Sequence, residues 1–484
     1  MRAIVSALGS VHTARAPSTT SVRVRGTRPV GRPARDGGTP AGYSPSVDKQ
    51  HRRRTRRPRS RRSGRVVAAS VVLIVLSATI GVLVRQVRPQ TQASSGDEGL
   101  PRATALSTAT PTPTPTPTAD PDATFTVVAA GDVLPHLNVL TSARTADGYD
   151  FSPLLAGLDT WVAGADLALC HFEVPVAPAG TKPSGYPLFG TVDALVADLA
   201  EQGWDGCSTA SNHSVDRGQA GVEATISSFD TYGLGHVGTA ATQAQDTPQL
   251  YRLTRAGRTF TVAHLSVTYG TNGMPVPQPW TVDLMDADEV VAQATAARAA
   301  GADLVLVSVH AGTEYRTEPT QDQIDFDQRL ADSGQVDLVI GHHAHVPQPI
   351  VQLAGGPRGA GMWVAYGLGN AISNQDEECC GAATSSGELL VVQITATGAF
   401  PAQDVAAGPA TVTGVSYASI TVDRRSGHRM HLLTDIAGGT ATLSATQVAE
   451  RLARVEEAAG TAAPVATTAP TATGDLPVVV PRAG

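Results

Sequence analysis

The chain has 484 residues, more than one compact domain usually holds, yet 48 Gly, 33 Pro and only 4% aromatics leave much of it unable to pack as core. Four cysteines in this length exclude a disulfide-built scaffold. The net charge of −7 is uneven: residues 1–65 carry 17 Lys/Arg against Asp36 and Asp48, and the other 419 carry 19 Lys/Arg and 41 Asp/Glu.

Residues 66–84 (VVAASVVLIVLSATIGVLV) hold no charge and lie between Arg65 and Arg85. Nineteen apolar residues come close to the ~20 that a helix needs to cross a bilayer. The stretch just before, 51–65, is dense in Arg, which stays cytoplasmic beside a span and places the acidic body outside the cell. Alone, the basic head would suit nucleic acid. Beside this run it reads as a disordered cytoplasmic tail, and nucleic acid is not expected as a partner. If translation starts inside the Arg cluster, the same run becomes a secretory signal peptide, and the body is extracytoplasmic either way.

Residues 85–123, the spacer, carry the run TATPTPTPTPTADPD up to Asp122, whose alternating Pro favours extended polyproline II, so a semi-rigid spacer is expected. At the other end, 446–459 has helical periodicity. The Ala/Thr/Pro-rich remainder of 443–484 is expected to be a disordered tail. The folded domain is therefore placed at 124–442, long enough for a large core.

Within it, short β-rich runs (FTVVAAGD, ADLALCHFE, WDGCSTASNH, LVLVSVHAG, VDLVIGHH) alternate with helical periods at 192–201, 220–232, 287–300 and 321–333. Strands apolar on both faces between helices indicate an α/β fold with much parallel sheet. Later segments at 361–366, 388–395, 414–422 and 428–434 look antiparallel, so two mixed sheets fit better than one doubly wound sheet. Cys170 and Cys207 fall near the ends of two adjacent strands, either paired or as buried thiols. Cys379-Cys380 reads as an exposed vicinal pair open to oxidation.

Each apolar run leads into residues that can ligate a metal. The first ends in Gly131-Asp132, the second in His171-Phe172-Glu173 and the third in Ser211-Asn212-His213. Later runs reach His310 with Glu314, then Gly341-His342-His343-Ala344-His345. In α/β sheets, sites form at the carboxyl ends of strands. Three imidazoles within four residues bury poorly unless satisfied, and a metal would satisfy them. Carboxylate, amide oxygen and imidazole without thiolate suit Mn²⁺, Fe or Zn²⁺, as one or two divalent ions. Ions bridged by a carboxylate let binuclear hydrolases activate water at neutral pH. His136 reads as a residue behind the ligands, and His236, His264, His428 and His431 as structural.

In their order the segments GD, ADLAL-x-x-FE-x-P, SNH-x-x-D-x-G-x-x-G-x-x-x-T, SVH-x-G-x-EY, DLVIGHHAHVPQP and YGLGN resemble the CapA-type capsule proteins, over nearly all of 124–400. The resemblance implies a four-layer α-β-β-α sandwich of the calcineurin-like metallophosphatase kind, with two mixed sheets. It implies that Asp132 ligates one metal and that Glu173 takes the bridging place. Asn212 and His310 would serve a second metal, and His343 and His345 would form the closing His-x-His pair. His213 would donate a proton or stabilise an anion, with Asp216, Glu314 and His342 around the ligands.

The sequence departs from these patterns in three places. The wider metallophosphatases begin Asp-x-His, but Val133-Leu134 follows Asp132. Glu173 stands where they use Asp. His171 stands where the CapA group has Asn, as a replacement ligand or as a neighbour of the ligands.

The expected function is that of a membrane-anchored extracytoplasmic protein in synthesis, export or anchoring of a surface polymer such as poly-γ-glutamate. It would act as a metal-dependent phosphoesterase-like hydrolase or, alternatively, as a non-catalytic assembly subunit. Expected partners are an anionic polymer or phosphoester and capsule-synthesis membrane proteins; the acidic body counts against direct polymer binding by the whole surface unless metals or local arginines such as Arg217 and Arg316 supply positive field.

Overall fold

The first apolar run shows how the layers arise. In the computed structural model, which describes residues 118–483, it forms β1 (Ala123–Val133). Phe125, Val127 and Ala129 face one side, Val128 and Ala130 the other, and all are buried. A strand buried on both faces has to lie in a sheet covered on both faces.

β2 (Leu167–Phe172), β3 (Gly206–Ser208) and β4 (Gly235–Val237) follow β1 in parallel. The chain then builds a second sheet from β5 (Gln249–Arg255), β6 (Arg258–Thr268), β7 (Leu304–His310), β8 (Leu338–His342), β9 (Ile350–Leu353) and β10 (Met362–Ala365). Here β6, β7, β8 and β10 are parallel, flanked by antiparallel β5 and β9. The stretch 361–366, expected among antiparallel strands, thus lies parallel to β8 and antiparallel only to β9.

Returning to the first sheet, β11 (Asn370–Ile372) joins the end of β1 in parallel. β12 (Ser386–Ala396), β13 (Thr411–Asp423) and β14 (Arg429–Leu432) extend its other side antiparallel. Two mixed sheets result.

Helices cover both outer faces. Against the first sheet lie α1 (Leu137–Ser142), α2 (Ser152–Leu155), α3 (Asp159–Ala163), α4 (Asp193–Gln202) and α5 (Gly218–Tyr232), through residues such as Leu140, Trp161, Leu195 and Phe229. Against the second lie α6 (Ala287–Ala299) and α7 (Gln321–Ser333), through Val290, Ala294, Phe326 and Leu330. Between the sheets Phe125, Leu169, Tyr251, Leu306, Ile340 and Leu390 form the central core. α8 (Ala445–Ala459) adds Val448 and Val455 to it, starting at a Ser444/Gln447 capping box.

Four parallel strands begin in the same way. Asp166, Asp205, Asp303 and Asp337 immediately precede β2, β3, β7 and β8. Each carboxylate accepts the backbone N–H of a residue on the neighbouring strand: Thr126, Ala168, Thr261 and Val305, at 2.7–2.8 Å. Each aspartate also donates its own N–H to that residue's carbonyl. This two-point clamp fixes strand register.

The tail expected to be disordered is instead packed. Thr473 donates its N–H to Asp166 Oδ1 (2.7 Å), where Arg255 also binds. β15 (Val478–Val480) pairs antiparallel with β5, and Arg482 donates to the carbonyls of Thr239 and Gln245. Pro and Thr do favour extended backbone, and here the open edge of β5 supplies a partner for it.

Cys170 and Cys207 are paired across adjacent positions of β2 and β3, and Cys379 with Cys380. The basic head 1–65, the apolar run 66–84 and the spacer up to residue 117 lie outside the described residues. Among the described residues no helix is long and apolar enough to cross a membrane.

Candidate metal centre

The finishing ends of β1, β2, β7 and β8 carry the site, and the alternation of each strand decides what it contributes. On β8, Leu338 and Ile340 face the central core, so His342 faces inward too. On β7, Leu304 and Leu306 set the same phase for Ser308 and His310, and on β2 Leu169 does so for His171. Asp132 lies level with His171. Glycines let the backbones cross here: a Cβ at Gly131 would sit 2.0 Å from the Gly369 carbonyl, and one at Gly341 1.9 Å from that of Tyr366. The Gly-Asp, Gly-His and Gly-Leu-Gly-Asn motifs are thus parts of one crossing.

Past β8 the alternation stops. His343 (φ 85°) and His345 (φ 57°) both take left-handed backbone, which costs a non-glycine residue about 1–3 kcal/mol and concentrates at functional sites. The turn aims both imidazoles at the carboxylates. His345 Nδ1 is 2.9 Å from Asp132 Oδ2, and its Nε2 is 3.7 Å from Glu173 Oε1. Asn370, from the YGLGN motif, donates to the His345 carbonyl and so holds the turn.

The predicted residues converge. Asp132, Glu173 and His345 form one group of candidate ligands; Glu314, His343 and His345 form a second; Asp132, His171 and His342 form a third. Within each group one donor atom per residue lies within 4.8 Å of the others. Asn212 and His310, expected at a second metal, are bonded to each other: Asn212 Oδ1 lies 2.9 Å from His310 Nε2. His310 Nδ1 continues the chain to His171 Nε2 (2.8 Å), and His171 Nδ1 to Ser208 Oγ (2.8 Å).

His213 Nδ1 donates to Asp216 Oδ2 (2.7 Å), which also accepts the Phe189 N–H. Arg217, one of the arginines that could have added positive field, is committed elsewhere. Its guanidinium donates to the carbonyls of Phe189 and Lys182. Arg316 is exposed beside Glu318.

The electrostatics are those of a site short of positive charge. Burial pushes the Glu173 carboxyl well above its usual range. Burial also works upward on Asp132, but the neighbouring His342 and His345 outweigh it and hold that carboxyl well below the usual range. On His345 burial works downward, yet Glu173 and Asp132 push it up to about 9. Burial pushes His343 down to about 3 and His171 and His310 well below the usual imidazole range, which leaves them neutral.

Both Glu173 oxygens, both His342 nitrogens and the Nδ1 atom of His343 are buried without a hydrogen-bond partner. Buried polar groups are seldom left this way, and a divalent cation would satisfy such a set.

Sequence reasoning missed Tyr269 and Tyr315, whose rings lie 4.6 Å from His343 and 6.2 Å from His345 and form a half-exposed aromatic rim. Tyr315 was within reach, since it closes the SVH-x-G-x-EY motif.

A family described as "Bacterial capsule synthesis protein PGA_cap" matches residues 126–375, just over half of the chain. The chain belongs to this family. A "probable polyglutamine synthesis accessory protein" of Mycobacterium tuberculosis is 28% identical over 251 residues, 48% of this chain and 62% of that protein. The "capsule biosynthesis protein CapA" of Bacillus anthracis is 27% identical over 187 residues, 38% of this chain and 43% of that protein. The chain thus spans less than two thirds of these relatives' lengths. Among solved structures, a 5'-nucleotidase precursor from Thermus thermophilus overlaps 69% of this chain and 58% of its own, at 14% identity and a TM-score of 0.36.

Proposed function

We propose that this PGA_cap-family chain is a membrane-anchored, extracytoplasmic, metal-dependent hydrolase with a metallophosphatase-like fold. Its role is in the synthesis, export or anchoring of an anionic surface polymer such as poly-γ-glutamate, alongside capsule-synthesis membrane proteins. Residues 66–84 supply the anchor. The observation that carries the catalytic reading is the convergence of unpartnered, buried carboxylate and imidazole groups at the strand ends.

Asp132, Glu173, His343 and His345 would hold a divalent ion, with Asn212 and His310 beside them and Glu314 at the exposed rim. Such an ion supplies Lewis acidity toward a phosphoryl or carbonyl oxygen. The protein's own part is proton handling and orientation. With its Nδ1 proton committed to Asp216, His213 would present a protonated Nε2 that donates to the leaving group and regains its proton from water. Asp216 also accepts the Phe189 N–H, which ties this histidine to the loop of Phe189. The substrate class is a phosphoester or the amide of a glutamyl polymer, entering past Tyr269 and Tyr315.

The test is turnover of phosphoester and glutamyl-amide substrates by the full-length chain and by His213→Ala, with metal content measured on both. The expected loss is about 10²–10⁴-fold at unchanged metal content and fold. Absence of turnover in a metal-loaded wild type would leave the non-catalytic assembly subunit as the reading.

A further inference from the structure

A cavity of about 420 Å³ opens beside the candidate metal centre, and the proposed reaction gives it no role. Its floor is the backbone that leaves β7, where Ala311, Gly312 and Thr313 directly follow His310. One wall is Tyr269, just past the end of β6. This residue donates its N–H to the His310 carbonyl (3.0 Å) and holds its ring 4.6 Å from that of His343. Another wall is the start of α7, with Thr320 and Asp322. Parallel β6 and β7 finish level with each other, so the cavity shares the ligand-binding end of the sheet with the metal centre.

The floor is built in place. Gly312 has a φ of 125°, and a Cβ there would lie 2.8 Å from Gln323 Oε1. Gln323 is buried and fully engaged. Its Oε1 accepts from the N–H (2.8 Å) and hydroxyl (3.0 Å) of Thr320, and its Nε2 donates to Gln348 Oε1 and to the Tyr366 carbonyl, both at 3.2 Å. A cavity of this size, formed before anything binds, suits a small organic group.

The lining selects which group. Asp322 is the one charged residue among those that line the cavity. The adjoining depression is lined by Asp286, Asp288, Asp322 and Asp325, and its Arg329 is paired with Asp288. A glutamyl chain or a second phosphate would therefore meet a negative field here. Alcohol groups would not. The Asp322 carboxylate accepts from them, the exposed Thr313 hydroxyl can donate or accept, and Tyr269 adds an apolar ring beside them. Hydroxyls around a carbon ring complement all three.

We propose that this cavity is a subsite for an uncharged glycosyl group. Resting on the hydrolase reading above, the substrate is then a glycosyl phosphoester, its phosphoryl group at the metal centre and its sugar between Tyr269 and Asp322. Of the two substrate classes given there, this selects the phosphoester over the glutamyl amide.

The test is saturation-transfer NMR on the full-length chain, without added metal, in a zwitterionic detergent that contains no sugar. The probes are the methyl glycosides of glucose, galactose and N-acetylglucosamine, a γ-linked glutamate trimer, and spermidine as a cation. At least one glycoside should bind, and the trimer should not. Tyr269→Ala and Asp322→Ala should each weaken the glycoside about tenfold, whereas Asp322→Asn, which keeps an acceptor, should cost about threefold or less. Asp322 is exposed, so its variants decide alone if Tyr269→Ala does not fold.

No glycoside binding, or binding that Tyr269→Ala and Asp322→Ala leave unchanged, overturns the subsite. So does preferential binding of the glutamate trimer, or of spermidine with its loss in Asp322→Asn. The subsite and the hydrolase reading fail separately. Glycoside binding without turnover of any phosphoester overturns the hydrolase and leaves the sugar site. Equal kcat/KM for glucose 1-phosphate and methyl phosphate, unchanged in Asp322→Ala, overturns the subsite and leaves the hydrolase.

Discussion

At the starting ends of β2, β3, β7 and β8 stand aspartates, two of them buried (Asp166, Asp337) and two half-buried, and each finds its partners. Asp166 receives the Thr126 and Thr473 N–H groups and the guanidinium of Arg255. Asp337 receives Val305 and Arg298. At or just past the finishing ends of β2 and β8, polar groups of Glu173, His342 and His343 are buried and left unpaired. The two ends differ in what completes them. One is complete within the chain, whereas the other fits a partner the chain does not supply. Unpaired burial costs stability, and proteins retain it where function repays that cost.

The contrast is broken or upheld by mutation, the largest effect being expected at the satisfied end. Arg255→Ala leaves Asp166 with a buried, uncompensated charge, and about 3–5 kcal/mol should be lost in urea unfolding. Metal content of the molecules that remain folded should not change. A small loss there would mean that the Thr126 and Thr473 N–H groups suffice.

At the other end the sign should reverse. Glu173→Gln removes a carboxyl that burial disfavours in its charged form, so the metal-free variant should melt no lower than the metal-free wild type. Added metal provides the complement: at about 100 times its Kd, Zn²⁺ or Mn²⁺ should stabilise the wild type by about 2.7 kcal/mol. The same addition should stabilise Glu173→Gln far less. Equal gains for both would remove Glu173 from the ligand set.

A further effect is a pH dependence within the clamp row. Asp205 is clamped by Ala168 without an ion-pair partner, and burial raises its carboxyl to about 7. A raised carboxyl favours the folded state when protonated. Its contribution is therefore complete below the unfolded value of about 3.9 and fades as pH rises through about 7. Thermal melts from pH 4 to 8 should show Asp205→Asn with a flatter decline than wild type.

Much of this was legible in the sequence because it depends on short-range pattern. The apolar runs ending in Asp132, His171, His310 and His342 predicted both the strands and the gathering of their ends. What a linear pattern cannot show is where alternation gives way to a turn. His342 still belongs to β8 and faces the core, while His343 and His345 lie in the turn beyond it. The clamp aspartates stood in plain view before each run, but their partners lie 32–42 residues away and each alone reads as a loop residue. The tail was misread because composition reports what a segment favours alone, whereas β15 is held by β5, more than 220 residues earlier.

That pairing also bears on solubility. An uncovered edge strand presents a row of free N–H and C=O groups, a template for joining another chain edge to edge. β15 closes part of that row on β5, and 473–475 close over Arg255 at its end. A version of the protein cut after residue 442 would retain every candidate metal ligand, but it would expose an adhesive border and be prone to self-association.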